Sequence, residues 1–283
     1  MKPHPCIECG VELEAAEDIC PGCGHQAPPP NVRLAFDEGL ELLAREARAR
    51  AAVAEELRPV LDRLSTLVAS ASVVVNVDPA FAHQVITRDR TQQVSYHALL
   101  AAGARRPAAH ANDRQRTVVD ALLFGSVGPQ IGYAALSARA GLRSYGLVTL
   151  HLKLGSLERR TSLLEENAYD FIRRHGVTDR SPPPRGYRAP LCGRVALATA
   201  KLAGRLRTDP TDDELADLLL HSGADRAADD FIEAHIWGPL HRSAVEAVTV
   251  TEAVTIPIDR VHLSEAYRVA TSELNIRWNG YPS

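Results

Sequence analysis

Four of the five cysteines fall within residues 6–23, in two copies of one short pattern, Cys6-Ile-Glu-Cys9-Gly10 and Cys20-Pro-Gly-Cys23-Gly24. Each C-x-x-C-G segment is a knuckle. Two intervening residues let both sulfurs face one ion, and the glycine after the second cysteine relieves the tight turn. Four thiolates suit a tetrahedral zinc at roughly 2.3 Å per Zn–S bond. A rubredoxin-type iron could use the same ligands, and a pair of disulfides is the metal-free alternative. A segment this short cannot bury a core, so the metal must supply much of its folding energy. With cysteine at all four positions no coordination site is open to a substrate, so the zinc expected at Cys6, Cys9, Cys20 and Cys23 is structural. His4 and His25 flank the site but are surplus to four ligands. The ribbon, residues 1–26, is acidic: Glu8, Glu12, Glu14, Glu17 and Asp18 stand against Lys2. That favours protein docking or a purely structural role over contact with nucleic acid.

Only Cys192 lies elsewhere, a clustering that points to a metal site in a reducing compartment rather than scattered disulfides. No apolar run reaches the roughly 18 residues of a membrane span, and Met1-Lys-Pro-His-Pro-Cys6 lacks the apolar stretch of a signal peptide. The expectation is a cytoplasmic protein with no membrane partner. A length of 283 residues with 45% apolar content is enough for about two domains with a real core. Charged residues at 24% and a net charge of −3 exclude a uniformly basic nucleic-acid coat and a polyacidic disordered chain.

Residues 27–71 form the expected connection. Ala27-Pro28-Pro29-Pro30 reads as a stiff linker. A long helical stretch over 31–70 follows, with Phe36, Leu40, Leu43, Ala47, Ala54, Leu57, Leu61, Leu64 and Val68 in the alternating spacing of a coiled-coil seam. Pro59 should kink or split it after Arg58. This helix either pairs two copies in a homodimer or packs on its own domain.

Residues 72–283 read as an α+β domain. Strands are expected at 72–77, 131–136, 147–153, 231–237 and 247–250, the last two as neighbours, with a short one at 93–96. Helices are expected at 114–124, ending at Gly125, and at 195–207. The capping-box pattern Ser162-Leu-Leu-Glu165 predicts a helix stopping at Gly176, and Thr211-Asp-Asp-Glu214 predicts another through His221. A last helix is expected at 264–274. No P-loop, G-x-G-x-x-G, H-E-x-x-H or G-x-S-x-G occurs. Gly125-Ser-Val-Gly128 reads as a plain turn, the acidic run 209–214 as a helix N-terminus, and Cys192 as inert.

Glu233 is the most informative residue of this domain. It interrupts an otherwise apolar strand, and period-2 alternation puts Phe231, Glu233, His235 and Trp237 on one face. Such a carboxylate sits either at a solvent-facing edge or in a cleft, where it could act as a base or stabilise a developing cation.

The segment Phe231-Ile-Glu-Ala-His-Ile-Trp-Gly-Pro239, followed by Val245-Glu-Ala-Val248, resembles the end of a bacterial domain family of unknown function with an ADP-ribosyltransferase-like fold. Leu123-Phe-Gly125 with Ile131-Gly-Tyr-Ala-Ala-Leu136 fits the same family, as does Tyr145-Gly-Leu-Val-Thr-Leu-His-Leu152 followed by Arg160-Thr-Ser162. Arg90-Thr-Gln92 and Val75-Asn-Val-Asp-Pro79 resemble its upstream motifs, so the likeness runs over about 72–262. It implies a split β-sandwich that grips NAD, with Glu233 holding the nicotinamide ribose and stabilising an oxocarbenium-like transition state. Arg90 would neutralise the pyrophosphate. Tyr133 would border the nicotinamide, and Asn76, Asp78 and Thr161 would contact the cofactor. Arginine-modifying transferases carry Gln or Glu two residues before the catalytic glutamate, where this chain has Phe231. It also lacks an S-T-S triplet and has Asn76 in place of a histidine. These departures argue against a protein arginine acceptor and leave a nucleic-acid base or another protein group. The function expected is an intracellular mono-ADP-ribosyltransferase, a toxin or defence effector of the kind held in check by an antitoxin-like partner. A non-catalytic zinc-ribbon adaptor and an NAD glycohydrolase are the competing readings.

Overall fold

The structure, a computed structural model, describes residues 4–6, 8–14, 17, 19–88, 92–103, 113–250 and 277–278. The expected helix at 264–274 lies outside them. The ribbon opens with a two-stranded pairing of β1 (His4–Pro5) and β2 (Glu12–Leu13). Helices α1 (Pro30–Asp37), α2 (Gly39–Ala52) and α3 (Arg58–Ser70) follow, with a 3-10 turn at Glu55–Leu57 before α3. The main domain then runs β3 (Ser72–Val77), α4 (Pro79–Thr87), β4 (Gln92–Gln93), α5 (Tyr96–Ala101), α6 (Asp113–Phe124), β5 (Ile131–Ser137), β6 (Val148–Leu152), α7 (Leu154–Leu157), β7 (Thr161–Leu164) and α8 (Ala168–His175). It continues with β8 (Arg188–Pro190), α9 (Arg194–Leu202), α10 (Asp212–Leu219), β9 (Leu220–His221), β10 (Asp230–Phe231), β11 (Glu233–Trp237), β12 (Leu240–His241), β13 (Val245–Val250) and β14 (Arg277–Trp278).

Eight of these strands form one sheet in the order β14-β13-β6-β3-β5-β11-β7-β8. Every adjacent pair is antiparallel except β13–β14. The join at its middle is short. β3 pairs with β6 from Val73 to Val77, but with β5 only through Ser72, Val73 and Val74, opposite Ser137, Leu136 and Ala135. Beyond Val74 the sheet forks into two half-sheets. Asn76 occupies the fork. Its amide donates to the Gly146 carbonyl at 3.0 Å and to Thr149 Oγ1 at 3.1 Å, and its Oδ1 accepts from Leu142 N at 2.8 Å. The loop comes so close that a Cβ on Gly141 would lie 1.7 Å from Asn76 Oδ1.

Strand alternation divides the core. Val73, Val75, Ala134, Leu136, Ile232, Ala234 and Ile236 face a large cluster built with Leu61, Leu64 and Val68 of α3, Leu197 and Leu202 of α9, and Leu215 of α10. Val74, Ala135 and Phe231 turn to the opposite face with Leu142 and Leu220. Ile131, Leu164, Phe124 and Phe171 form a further cluster, with Tyr133 and Trp237 against it. No helix among the described residues is long and apolar enough to cross a membrane.

The strand expected at 93–96 is Gln92–Gln93, with Tyr96 already in α5, and that expected at 231–237 is broken at Ile232, so that Phe231 pairs with β9 in a separate two-stranded sheet. Four other local expectations change. The stretch 31–70 is three helices, not one. Pro30 already lies in the first turn of α1, and Pro59 lies in the first turn of α3, where its missing N–H costs nothing. The expected seam is divided as well, since Leu61, Leu64 and Val68 are buried in the chain's own core while Phe36, Leu40 and Leu43 are exposed. Ser162–Glu165 does not open a helix. Thr161 to Leu164 are all buried as β7, between β11 and β8, and pairing on both sides overrides the capping pattern; α8 starts at Ala168, capped by Asn167. The 247–250 segment lies not beside 231–237 but across the sheet, against β6. The capping box of Thr211 and Glu214 forms as expected.

Candidate functional site

The two knuckles fold alike. Gly10 N donates to the Cys6 carbonyl at 2.9 Å and Gly24 N to the Cys20 carbonyl at 2.8 Å, with both glycines in the left-handed region, at φ 76° and 71°. Cys6, Cys9, Cys20 and Cys23 place their sulfurs within 4.8 Å of one another, and could hold a metal ion. The Cys6–Cys23 separation is 3.7 Å and that of Cys9–Cys20 is 3.5 Å. A regular tetrahedron with bonds of about 2.3 Å has edges near ~3.8 Å, so the donor set fits zinc with little movement. Every cysteine is free, with none joined in a disulfide.

The ribbon is tied to the body. Arg33 of α1, buried, donates from Nη1 to the Glu14 carbonyl at 3.1 Å. Two residues earlier, fully buried Asn31 donates from Nδ2 to the His235 carbonyl at 2.8 Å, to Ser162 Oγ at 3.2 Å and to the Arg160 carbonyl at 3.3 Å. The helix next to the metal module is thereby bolted to β11, the strand that carries Glu233.

The fork of the sheet opens into a cleft of about 420 Å³, lined by Val74 to Asp78 of one half and Ile131 to Ala135, Phe231 and Glu233 of the other. β11 is flanked by β5 and β7, so Glu233 is on an interior strand and the edge-strand alternative falls. The residue is 4% exposed. Its cross-strand neighbour on β5 is Ala135, whose small side chain leaves the space above the carboxylate open. Oε2 accepts from Ala168 N at 2.6 Å, which seats the carboxylate at the N-terminus of α8, where the helix dipole favours negative charge. His235 Nε2 lies 3.4 Å from the same oxygen, and the His235 ring packs edge-on to Tyr133 and Phe124, at 5.2 and 4.9 Å between centroids.

Arg116 of α6 is the cation beside this carboxylate. Its guanidinium carbon sits 3.8 Å from the Tyr133 ring centroid and 4.6 Å from that of Tyr169. Nη1 is buried and has no hydrogen-bond partner among the described residues, with Asp120 Oδ1 3.6 Å away in an ion pair. Burial alone would lower the Arg116 pKa. The nearby Tyr133, Glu233, Tyr169 and Asp120 outweigh it and raise the pKa, so the group is always charged. Asp120 is 1% exposed; it accepts from the Tyr133 hydroxyl and lies 2.8 Å from His97 Nε2 on α5. Burial drives Tyr133 well above the ordinary phenol value, and pushes Tyr145 and Tyr169 up to about 12, so all three are neutral hydrogen-bonding groups at physiological pH. Four of the chain's seven tyrosines (Tyr96, Tyr133, Tyr145 and Tyr169) line this one cleft.

Of the sequence-predicted residues, Glu233, Tyr133, Asn76 and Asp78 are brought together here. Thr161 is not. It is fully buried opposite Ile236 on β7, away from the lining, because β7 lies beyond β11 from the fork. Arg90 lies outside the described residues. Sequence reasoning missed Arg116, Arg226 and Asp120. Arg116 belongs to Asp113-Arg-Gln-Arg116, which reads as an ordinary solvated helix start, and no local pattern announces two tyrosines from distant segments around it. No protein-family model matches the chain, and no curated protein matches it.

Proposed function

We propose that the chain is an NAD-dependent mono-ADP-ribosyltransferase with an ADP-ribosyltransferase-like fold, carrying a structural zinc in its N-terminal ribbon. The observation that carries this reading is the forked sheet, with a buried carboxylate, Glu233, sharing the cleft with Tyr133 and with a guanidinium that has a buried nitrogen making no hydrogen bond among the described residues. An aromatic-lined cleft with a fixed cation and a fixed carboxylate matches a ligand that is planar, anionic and develops positive charge when it reacts. NAD has all three properties. Glu233 would hold the nicotinamide ribose and stabilise the cation that forms at its C1′. In the reaction the acceptor's nucleophile bonds to C1′, the C1′–nitrogen bond to nicotinamide breaks, its electron pair returns to the ring nitrogen and the acceptor's proton leaves. Arg116, from α6, takes the pyrophosphate-neutralising role that the family resemblance implied for Arg90, since an arginine fork suits phosphate oxygens.

The acceptor is a nucleic acid or a protein, and an effector of this kind would be paired with a neutralising partner in its cell. The test is release of nicotinamide and capture of ADP-ribose by the purified protein with and without cell extract. Wild type is expected to release nicotinamide and label a macromolecule in the extract. Glu233→Gln should lose on the order of 10²–10³ in rate while staying folded. Equal turnover in the two proteins would overturn the reading. Release of nicotinamide with free ADP-ribose as the sole product would mark a glycohydrolase instead.

A further inference from the structure

The rim of the cleft carries a second guanidinium that the reading above leaves unused. Arg226 lies on the loop between β9 and β10, is exposed, and lines the cleft. Its carbon stacks 4.5 Å from the Tyr145 ring centroid, and its Nε donates to the Ser144 carbonyl at 3.2 Å. Among the described residues no carboxylate forms an ion pair with it. Asp229 is spent on the Ser144 hydroxyl and on Gly223 N, and Asp225 accepts from Ala227 N and Ala228 N of its own turn. Its Nε and the plane of its guanidinium are thus engaged by the 141–146 loop, and no hydrogen bond or ion pair to its two Nη atoms occurs among the described residues.

The loop is also held in place. Arg143 N donates to Ser222 Oγ at 3.0 Å, and the Ser144 hydroxyl donates to Asp229, so the 222–229 loop, which joins the paired strands β9 and β10, is latched to the 141–146 loop that joins the two half-sheets. Beneath Arg226 the wall is aromatic. Tyr145 and the buried Phe231 meet edge-on with centroids 6.5 Å apart.

An exposed guanidinium laid on a tyrosine ring and held in no ion pair offers a phosphate both a charge and a flat neighbour. It matches a strand in which phosphates alternate with flat bases, because base–aromatic stacking and arginine–phosphate contacts are the two elements of single-strand recognition. A duplex keeps its bases stacked on each other and out of reach of such a wall. Resting on the transferase reading for what the site does chemically, we propose that the acceptor is a single-stranded nucleic acid, with a phosphate held by Arg226 and a base laid against Tyr145, whose ring is backed by the buried Phe231, on the way to Glu233.

The experiment is fluorescence anisotropy of the full chain, without NAD, using labelled mixed-sequence 12-mers of single-stranded DNA and RNA. A hairpin duplex and a 12-residue polyglutamate peptide serve as comparisons. The single strands should bind at least tenfold more tightly than the duplex or the peptide, and the DNA and RNA arms tell whether the sugar matters. Arg226→Ala should weaken strand binding about tenfold and reduce the slope of log K against log salt by about 0.7, the value for one phosphate on a single strand. Arg226→Lys should restore the slope but not the full affinity, since the point charge returns without the planar stack. Tyr145→Leu should weaken binding and leave the slope unchanged. Absence of strand binding, equal affinity in wild type and Arg226→Ala, or equal binding of the acidic peptide would overturn the proposal, the last pointing to a protein acceptor. Nicotinamide release separates the two readings. NAD consumed by a protein that does not bind strands removes the acceptor assignment and keeps the transferase. Strands bound by a protein that never consumes NAD does the reverse.

Discussion

Asp120→Asn tests whether the polar network behind the cleft carries energy. Asp120 is almost fully buried and serves three groups at once: the Tyr133 hydroxyl, His97 Nε2 at 2.8 Å and the Arg116 guanidinium at 3.6 Å. An asparagine can still accept from Tyr133, but its amide then meets His97 as a donor, and Arg116 loses a countercharge. Removing one partner of a buried charged network costs about 3–5 kcal/mol. Glu233 remains as a countercharge to Arg116, so the lower end applies, about 3 kcal/mol. At roughly 2–4 °C per kcal/mol for a chain of this size, the melting temperature should fall by about 6–12 °C. The assay is urea unfolding followed by far-ultraviolet circular dichroism, with a thermal melt as a second measure. Asp217→Asn is the control. That residue also pairs with a histidine, His221, at 3.0 Å, but its side chain is 62% exposed, and such pairs are worth about 0.5 kcal/mol or less. An Asp120→Asn loss no larger than that of Asp217→Asn would refute the claim that the network orders Tyr133 and Arg116.

Asn31→Ala should destabilise the chain by about 2–3 kcal/mol, since it deletes a bond to the His235 carbonyl and leaves buried acceptors unpaired; urea unfolding measures it, and a change under about 0.5 kcal/mol would mean that α1 is not bolted to β11. Elemental analysis of protein purified without chelator should find one zinc per chain, and Cys23→Ser should abolish it while the far-ultraviolet spectrum of the main domain persists. Glu166 is pushed up to about 7 by burial, against the pull of Arg174. Its folded form therefore holds a proton that the unfolded chain releases near its ordinary value of about 4.5, and stability should fall as pH rises from about 4.5 to about 7. Glu166→Gln should flatten that decline, and parallel pH–stability curves for the two proteins would contradict the shift. Light scattering should find a monomer at micromolar concentration. Of the helical seam only Phe36, Leu40 and Leu43 remain as exposed large apolar residues, far short of the roughly 800 Å² per partner of a stable interface, and a Leu40→Asp-sensitive dimer would show otherwise.

What could be read from the sequence follows the range of the physics involved. The knuckles are local. Two intervening residues and a glycine fix the turn, and the sulfurs converge as the spacing demands. The facing of Phe231, Glu233, His235 and Trp237 is local too, because alternation along a strand does not depend on its neighbours. Whether that strand is central or at an edge is not local. It is decided by pairing with β5 and β7, about a hundred and about seventy residues away in the chain. The same non-local pairing explains why Ser162–Glu165 could satisfy a capping pattern and still be strand. Arg116 and Arg226 were illegible for a related reason. An arginine on a polar helix start or in an Ala-Asp-rich loop becomes distinctive only when tyrosines from other segments stack beneath it.

The fork itself unites these observations. An antiparallel sheet normally satisfies every backbone group of its interior strands by lateral pairing, and a gap in the middle of one must be filled by something else. Beside that gap Asn76 ties down the loop joining the two half-sheets, with one side chain bonding two acceptors and one donor of the 141–149 segment. The residue that the family resemblance marked for cofactor contact is thus first a positioning residue, fixing the 141–146 loop against β3 on the wall of the cleft opposite Glu233. Asn76→Ala would leave Leu142 N and the Gly146 carbonyl without that partner. It should loosen the loop to which Arg226 is latched as well as the fork, so its effect on ligand binding should exceed that of Arg226→Ala alone. A loss confined to stability, with ligand affinity unchanged in the folded fraction, would show that the fork keeps its shape without Asn76.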